Sequence, residues 1–120
     1  MDKHGDGIWI IDTASRTTYA NEQMGNILGC RASELIGQPS FDYVFPEDRD
    51  RARILFEAKA AGDTKPFRFK LRRKDGSAVW VHVQGTPMFN AAGTFNGIVG
   101  TFTVVDEPSN PRPNLDERKR

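Results

Sequence analysis

Few side chains in this sequence have the type and spacing to do chemistry, and they are scattered. Cys30 is the only cysteine, and His4 and His82 are the only histidines, in 120 residues. A single thiol forms no internal disulfide and no cysteine-based zinc site. The two histidines stand in separate contexts, one near the N-terminus and one beside Trp80 on a strand pattern, so they do not pair on a metal. No Ser, His and acid set stands at a recognisable motif, and no glycine-rich loop is present to cradle phosphate. Asp75-Gly76 is better read as a turn pair than as acid chemistry, and Glu47-Asp48 follow Pro46, where the first turn of a helix favours acids. The domain is therefore expected to be non-catalytic. What remains is binding chemistry: 38% of residues are hydrophobic and eight are phenylalanine, enough to bury a core and to line a pocket.

The elements that must position such a pocket follow from the periodicities. Phe67, Phe69 and Leu71 alternate with Arg68, Lys70 and Arg72, the pattern of a strand wet on one side and dry on the other. Lys74-Asp75-Gly76 supplies a hairpin turn, and Val79, Val81 and Val83 then alternate with Trp80, His82 and Gln84. Asn90-Ala91-Ala92-Gly93 is a second turn. Phe95 to Val105 is rich in β-branched and aromatic residues, with Gly97 and Gly100 where a second backbone can approach closely. The segment from Phe67 to Val105 thus predicts a three-stranded antiparallel meander.

The first half predicts one more hairpin and the helices that cover the sheet. Gly7 to Asp12 and Thr17 to Ala20 flank a polar turn, which brings the sheet to five strands. Met24, Ile27 and Leu28 share a helical face, with Asn21 as N-cap and Gly29 as stop. Ser33 to Gly37 and Phe41 to Phe45 are each long enough for a single turn. Ile54, Leu55, Ala58 and Ala61 predict the apolar face of the longest helix, ended by Gly62. The fold class expected is α+β, a five-stranded antiparallel sheet with several short helices and one longer helix packed on one face.

Composition narrows the function classes. Seventeen basic residues against sixteen acidic ones leave a net charge of +1, without the concentrated basic face of a nucleic-acid binder. No apolar run approaches the roughly 18 residues a bilayer span needs, so no membrane contact is expected of this segment. The first residues lack the apolar core of a secretory signal, and with one cysteine a cytoplasmic location is expected. Residues 1–6 are expected to be disordered and 7–106 to form the domain. Residues 107–120, with Pro108, Pro111 and Pro113 followed by charged residues, read as a linker or tail. The short stretch before Gly7 suggests a piece of a longer protein.

Order and motifs together resemble the PAS domain family. Asp6 to Asp12 looks like its opening strand, and Tyr19-Ala20-Asn21 like its second strand entering a helix. Leu28-Gly29 with Glu34-Leu35-Ile36-Gly37 is similar to its "LGY…ELIG" section. Phe45-Pro46-Glu47-Asp48-Arg49 matches "hPeDr", and Arg73 to Ser77 with Val79-Trp80-Val81 matches "rkDGs…WV". The resemblance covers roughly residues 6 to 106. It implies a sensory or dimerising module of a signalling protein, most often a bacterial histidine kinase of a two-component system, a diguanylate cyclase or a phosphodiesterase. It also implies a ligand cradled between the sheet and the short helices.

The resemblance leaves the cofactor unknown and argues against two. Flavin-binding light sensors of the family carry a cysteine three residues past the "ELIG"-like stretch, and here that position is Ser40; Cys30 stands elsewhere and reads as packing. Haem-binding members use a histidine on or near the long helix, and residues 46 to 62 contain none. Covalent flavin photochemistry and haem are therefore not expected. The family often ends its last strand in a "DIT"-like motif; here Asp106 stands without the threonine, and a cation such as Arg73 or Lys74 would be its natural partner.

The pocket candidates are Ile10, Tyr19, Met24, Ile27, Leu28, Leu35, Ile36, Phe41, Val44, Leu55, Phe67, Phe69 and Val99, with plain core packing as the alternative for each. Trp80, His82 and Gln84 are the candidate dimer face, because an exposed tryptophan on a strand suggests contact. The partners expected are a second copy of the chain, an output domain in the same protein and a small molecule. The competing reading is an interaction module with a filled core and no ligand.

Overall fold

The computed structural model describes residues 6–107; His4 and nearly all of the expected tail lie outside the described residues. Five antiparallel strands form one sheet in the order β2-β1-β5-β4-β3. They are β1 Gly7–Ile11, β2 Thr17–Ala20, β3 Phe67–Arg72, β4 Ala78–Phe89 and β5 Phe95–Val105. Between β2 and β3 the chain forms α1 Glu22–Leu28, α2 Ala32–Leu35, two 3-10 turns at Ser40–Tyr43 and Pro46–Asp48, and α3 Arg49–Ala60. The α+β class expected from the sequence is the class observed. Asp6, expected in the loose terminus, is held by Asn21 Nδ2 on its carbonyl at 3.1 Å and by the Thr103 hydroxyl on its carboxylate at 2.8 Å.

The three hairpins share one turn chemistry. An Asx side chain opens each loop and accepts backbone amides across it: Asp12 from Ala14 and Arg16, Asp75 from Ser77, Asn90 from Ala92 and Thr94. A left-handed residue closes each: Gly76 and Gly93 in two of them, and Ser15, at φ 65°, in the third. A serine in that region is costlier than glycine, which marks Ser15 as kept for its side chain.

Alternation builds the dry face. Phe67, Phe69 and Leu71 lie opposite Val83, Val81 and Val79, and all point to the helices, as the pleat requires. Trp9 lies opposite Ala20 and Gly100 on the same face. A Cβ on Gly97 would stand 2.4 Å from the Ile11 carbonyl oxygen, so the close approach expected there is real. The free side of β2 is covered at its Thr17 end by residues 37–40: Thr17 N donates to the Gln38 carbonyl at 2.9 Å, Gly37 N donates to the Thr17 carbonyl, and Arg16 bridges to Pro39.

α1 has the caps the sequence predicts. Asn21 Oδ1 accepts from Met24 N at 2.9 Å, and Gly29 closes the helix at φ 77°. The same Oδ1 accepts from Ile8 N at 2.9 Å, so one side chain caps the helix and ties it to β1. At the far end, Lys74 N and Arg73 Nε donate to the free carbonyls of Leu28 and Ile27, docking the β3–β4 hairpin on the helix.

The face of α3 differs from expectation. Ile54 is 60% exposed, Ala61 is exposed, and the stripe turned to the sheet is Ala52, Leu55, Phe56 and Lys59. Pro46–Asp48 forms a separate 3-10 turn, so the helix starts at Arg49. The stripe holds the i, i+3, i+4, i+7 spacing of a core face only when the stem of Lys59 is counted as apolar surface.

Candidate functional site

A cavity of about 120 Å³ lies between the dry face of the sheet and the layer made by α3 and the Ser40–Tyr43 turn. Its wall is contributed by Trp9, Ile11, Phe41, Val44, Ala52, Leu55, Phe56, Phe67, Phe69, Leu71, Val83, Ile98 and Phe102, with Gly85 and Gly100 giving depth in the sheet. Cavities of this size hold a molecule of roughly five or six non-hydrogen atoms, well short of a flavin. The wall is almost wholly apolar. Its polar groups are the hydroxyls of Ser15 and Ser40, 2.5 Å apart, and the side chain of Lys59.

The structure divides the sequence-predicted pocket residues. Phe41, Val44, Leu55, Phe67 and Phe69 line the cavity. Met24, Ile27, Leu28 and Leu35 do not; they are buried in the part of the core where α1 and α2 pack on β1 and β2. The contact there is tight: a Cβ on Gly7 would stand 2.8 Å from Met24 Sδ. Ile36, 47% exposed, follows α2 and faces solvent.

Ile10, Tyr19 and Val99 stand on the opposite side of the sheet, which corrects their assignment to the pocket. Ile10 lies directly opposite both Tyr19 and Val99, so the three form one row across β2, β1 and β5 on the outer face. Their neighbours Trp9, Ile11 and Ile98 take the inward positions. The cause is parity: in Ile8-Trp9-Ile10-Ile11 every residue is apolar, and a slip of one reverses the face.

Trp80, His82 and Gln84 are half-buried on the outer face, opposite Val105, Thr103 and Thr101. Gln84 Nε2 donates to the Thr64 carbonyl at 2.9 Å, so part of this face is already engaged by the chain's own loop. Arg73 and Lys74 are engaged away from Asp106: Arg73 with the Ile27 carbonyl and Ser77, Lys74 with Glu34 at 2.6 Å. The hydrogen bond to Lys74 holds the Glu34 carboxyl below its ordinary value and raises Lys74 in turn.

Lys59 is the cavity-lining residue that sequence reading missed. It is 2% exposed, its Nζ donates to the Lys65 carbonyl at 2.7 Å, and it sits 5.6 Å from the centre of the Phe67 ring. Burial pushes its ammonium below the ordinary lysine value, against a smaller attraction from Asp63. The stem crosses Gly85, where a Cβ would stand 3.3 Å from Lys59 Cε. Its i+4 and i+7 spacing from Leu55 and Ala52 was the signal available. Cys30, half-buried, packs against the core, and burial pushes its thiol up. Among the described residues, no cluster of three or more metal-ligating side chains occurs.

The class of fold is defined by a sheet in this order, with short helical pieces and one longer helix over an apolar cavity. The family model described as "PAS fold" matches residues 1–105, and the chain belongs to the PAS family. Among curated proteins, the chain is 27% identical over 104 residues to the uncharacterized protein y4lL of Sinorhizobium fredii. The match covers 86% of the chain and 13% of that protein, so the chain spans about an eighth of the relative's length. Among solved structures, the PAS domain of a Colwellia psychrerythraea protein superposes with a TM-score of 0.77 at 18% identity, covering 83% of this chain and 86% of that one. A sensory box histidine kinase/response regulator from Burkholderia thailandensis gives 0.68 at 23% identity, covering 85% and 78%. These structural likenesses concern the fold.

Proposed function

We propose that this PAS domain is a cytoplasmic sensory module that binds a small molecule in the cavity and biases an output domain of the same protein. The observation that carries this reading is the apolar cavity of about 120 Å³ under α3. A well-packed core leaves few voids larger than a water molecule, so a cavity of this size with a polar group at its margin suits a ligand. The output domain we favour is a histidine kinase or a cyclic-di-GMP enzyme; the share of the relative's length and the kinase neighbour support a multidomain context. No described helix is long and apolar enough to cross a membrane. Filling the cavity with Ala52→Phe tests the reading: native mass spectrometry should show a bound small molecule on the parent and none on the variant. Parent and variant that take up the same small molecules equally would sink it.

A second reading, self-association through the sheet, rests on the outer face. The cross-strand row Tyr19, Ile10 and Val99, with Tyr19 48% exposed, adds apolar surface to the half-buried Trp80. That combination suits a second copy of the chain. The two readings are compatible, since one uses the dry face and the other the wet face.

A further inference from the structure

Lys59 gives the cavity a chemical preference. Its aliphatic stem is part of the wall, and its head is buried with it: the residue is 2% exposed. An ammonium has three donors. One goes to the Lys65 carbonyl at 2.7 Å, and among the described residues the other two have no acceptor and no carboxylate stands within ion-pair distance. The nearest acid acting on it, Asp63, accepts from Lys65 N at 3.0 Å instead. A buried charge without a counter-ion is costly, and a methionine or leucine at this position would serve the packing at no such cost. The glycine at position 85 makes room for the stem.

We propose that the cavity takes a small monocarboxylic acid, its hydrocarbon part against Phe41, Val44, Leu55 and Phe69 and its carboxylate on the ammonium of Lys59. The match is one of charge, size and polarity. One cation in an otherwise apolar wall balances a single negative charge; a phosphate or sulfate would carry more charge and more acceptors than one ammonium and two hydroxyls satisfy. The volume limits the body to a short branched or cyclic hydrocarbon. This inference rests on the reading of the cavity as a ligand site.

Isobutyrate and its neutral isostere isobutyramide separate the two. Titrated into the full chain and followed by amide nuclear magnetic resonance, isobutyrate should shift Lys65 and Gly85 and bind about ten- to a hundredfold more tightly than isobutyramide. Lys59→Met, which keeps the packing, and Lys59→Gln, which keeps a donor to Lys65 without the charge, should both erase that preference while still admitting the amide. Equal binding of acid and amide to the parent, or a preference that survives in both variants, overturns the carboxylate assignment and leaves the ligand site standing. Binding of neither probe to the parent overturns the carboxylate assignment too, while the ligand site itself stands or falls on the comparison of the parent with Ala52→Phe.

Discussion

The indole N–H of Trp9 donates to Thr17 Oγ1 at 2.8 Å, and the same hydroxyl donates to the Gln38 carbonyl at 3.1 Å. One buried threonine therefore links the cavity wall, the β1–β2 hairpin and the segment that covers β2. Thr17→Val keeps the shape and removes both bonds, leaving a buried N–H without an acceptor. It should cost about 1–3 kcal/mol in denaturant unfolding, while Thr18→Val on the exposed side should stay within about 0.5 kcal/mol. Equal effects would mean that the indole finds another partner.

Asn21 does the work of a helix cap and a tertiary link at once, accepting from both Met24 N and Ile8 N at 2.9 Å. An ordinary cap is worth about 1 kcal/mol. Asn21→Ala should exceed that, at about 2–3 kcal/mol, because the Ile8 amide loses its partner too. Asn21→Asp keeps the acceptor and should recover most of the loss; a loss as large as that of the alanine variant would place the stabilisation in Nδ2 and its bond to Asp6.

For Lys59 the sign of the pH dependence follows from burial. The unfolded chain holds the proton up to the ordinary value of 10.5, whereas the folded state releases it at lower pH. Between the two the unfolded state binds more protons, so stability rises with pH. Lys59→Met should be the more stable protein at neutral pH, and its advantage should shrink as pH climbs toward 10.5. Chemical denaturation of both proteins across that range checks it; an advantage independent of pH would mean the ammonium is not desolvated.

Gly25 lies inside α1, where alanine is ordinarily the better helix former by about 1 kcal/mol. Here a Cβ would stand 2.6 Å from the Cys30 carbonyl oxygen and 2.8 Å from Ala32 N. Both are backbone atoms with little freedom to move. Gly25→Ala should therefore destabilise by about 1–3 kcal/mol in a thermal or urea melt, and a stabilised variant would show that the α1–α2 connection yields easily.

Self-association, if it uses the outer face, depends on the row Tyr19, Ile10 and Val99 as well as on Trp80. Ile10→Lys and Trp80→Ala should each shift sedimentation toward monomer, the lysine more strongly because it places a charge in the middle of the row. Cavity ligand binding should persist in both. Parent and variants that sediment identically would exclude this face.

How much was legible in the sequence depended on contrast between neighbouring residues. The pattern places Phe67 and Phe69 on the dry face because Arg68 and Lys70 separate them, and the same contrast sets Val81 apart from Trp80. Where the run is apolar throughout, as at Ile8 to Ile11 and Ile98-Val99, parity is not visible, and the pattern alone puts Ile10 and Val99 on the wrong face. Tertiary context decides there, through the pairing of Ile10 with Val99. Met24, Ile27, Leu28 and Leu35 were recognisable as buried, but local pattern does not say which part of a core closes and which stays open. Lys59 is not legible because charge signals exposure on average, nor is Ser15, whose left-handed conformation is decided by the turn and by the Ser40 hydroxyl rather than by propensity.

The sheet's two borders limit how copies of the chain can meet. Residues 37–40 already occupy the open side of β2 at its Thr17 end, through the Thr17 and Arg16 contacts. At the other border, β3 presents Arg68, Lys70 and Arg72, and where β4 runs on past the end of β3 it carries Pro87, which has no amide to offer. Strand-to-strand growth is thereby disfavoured at both rims, which works against polymerisation into extended ribbons.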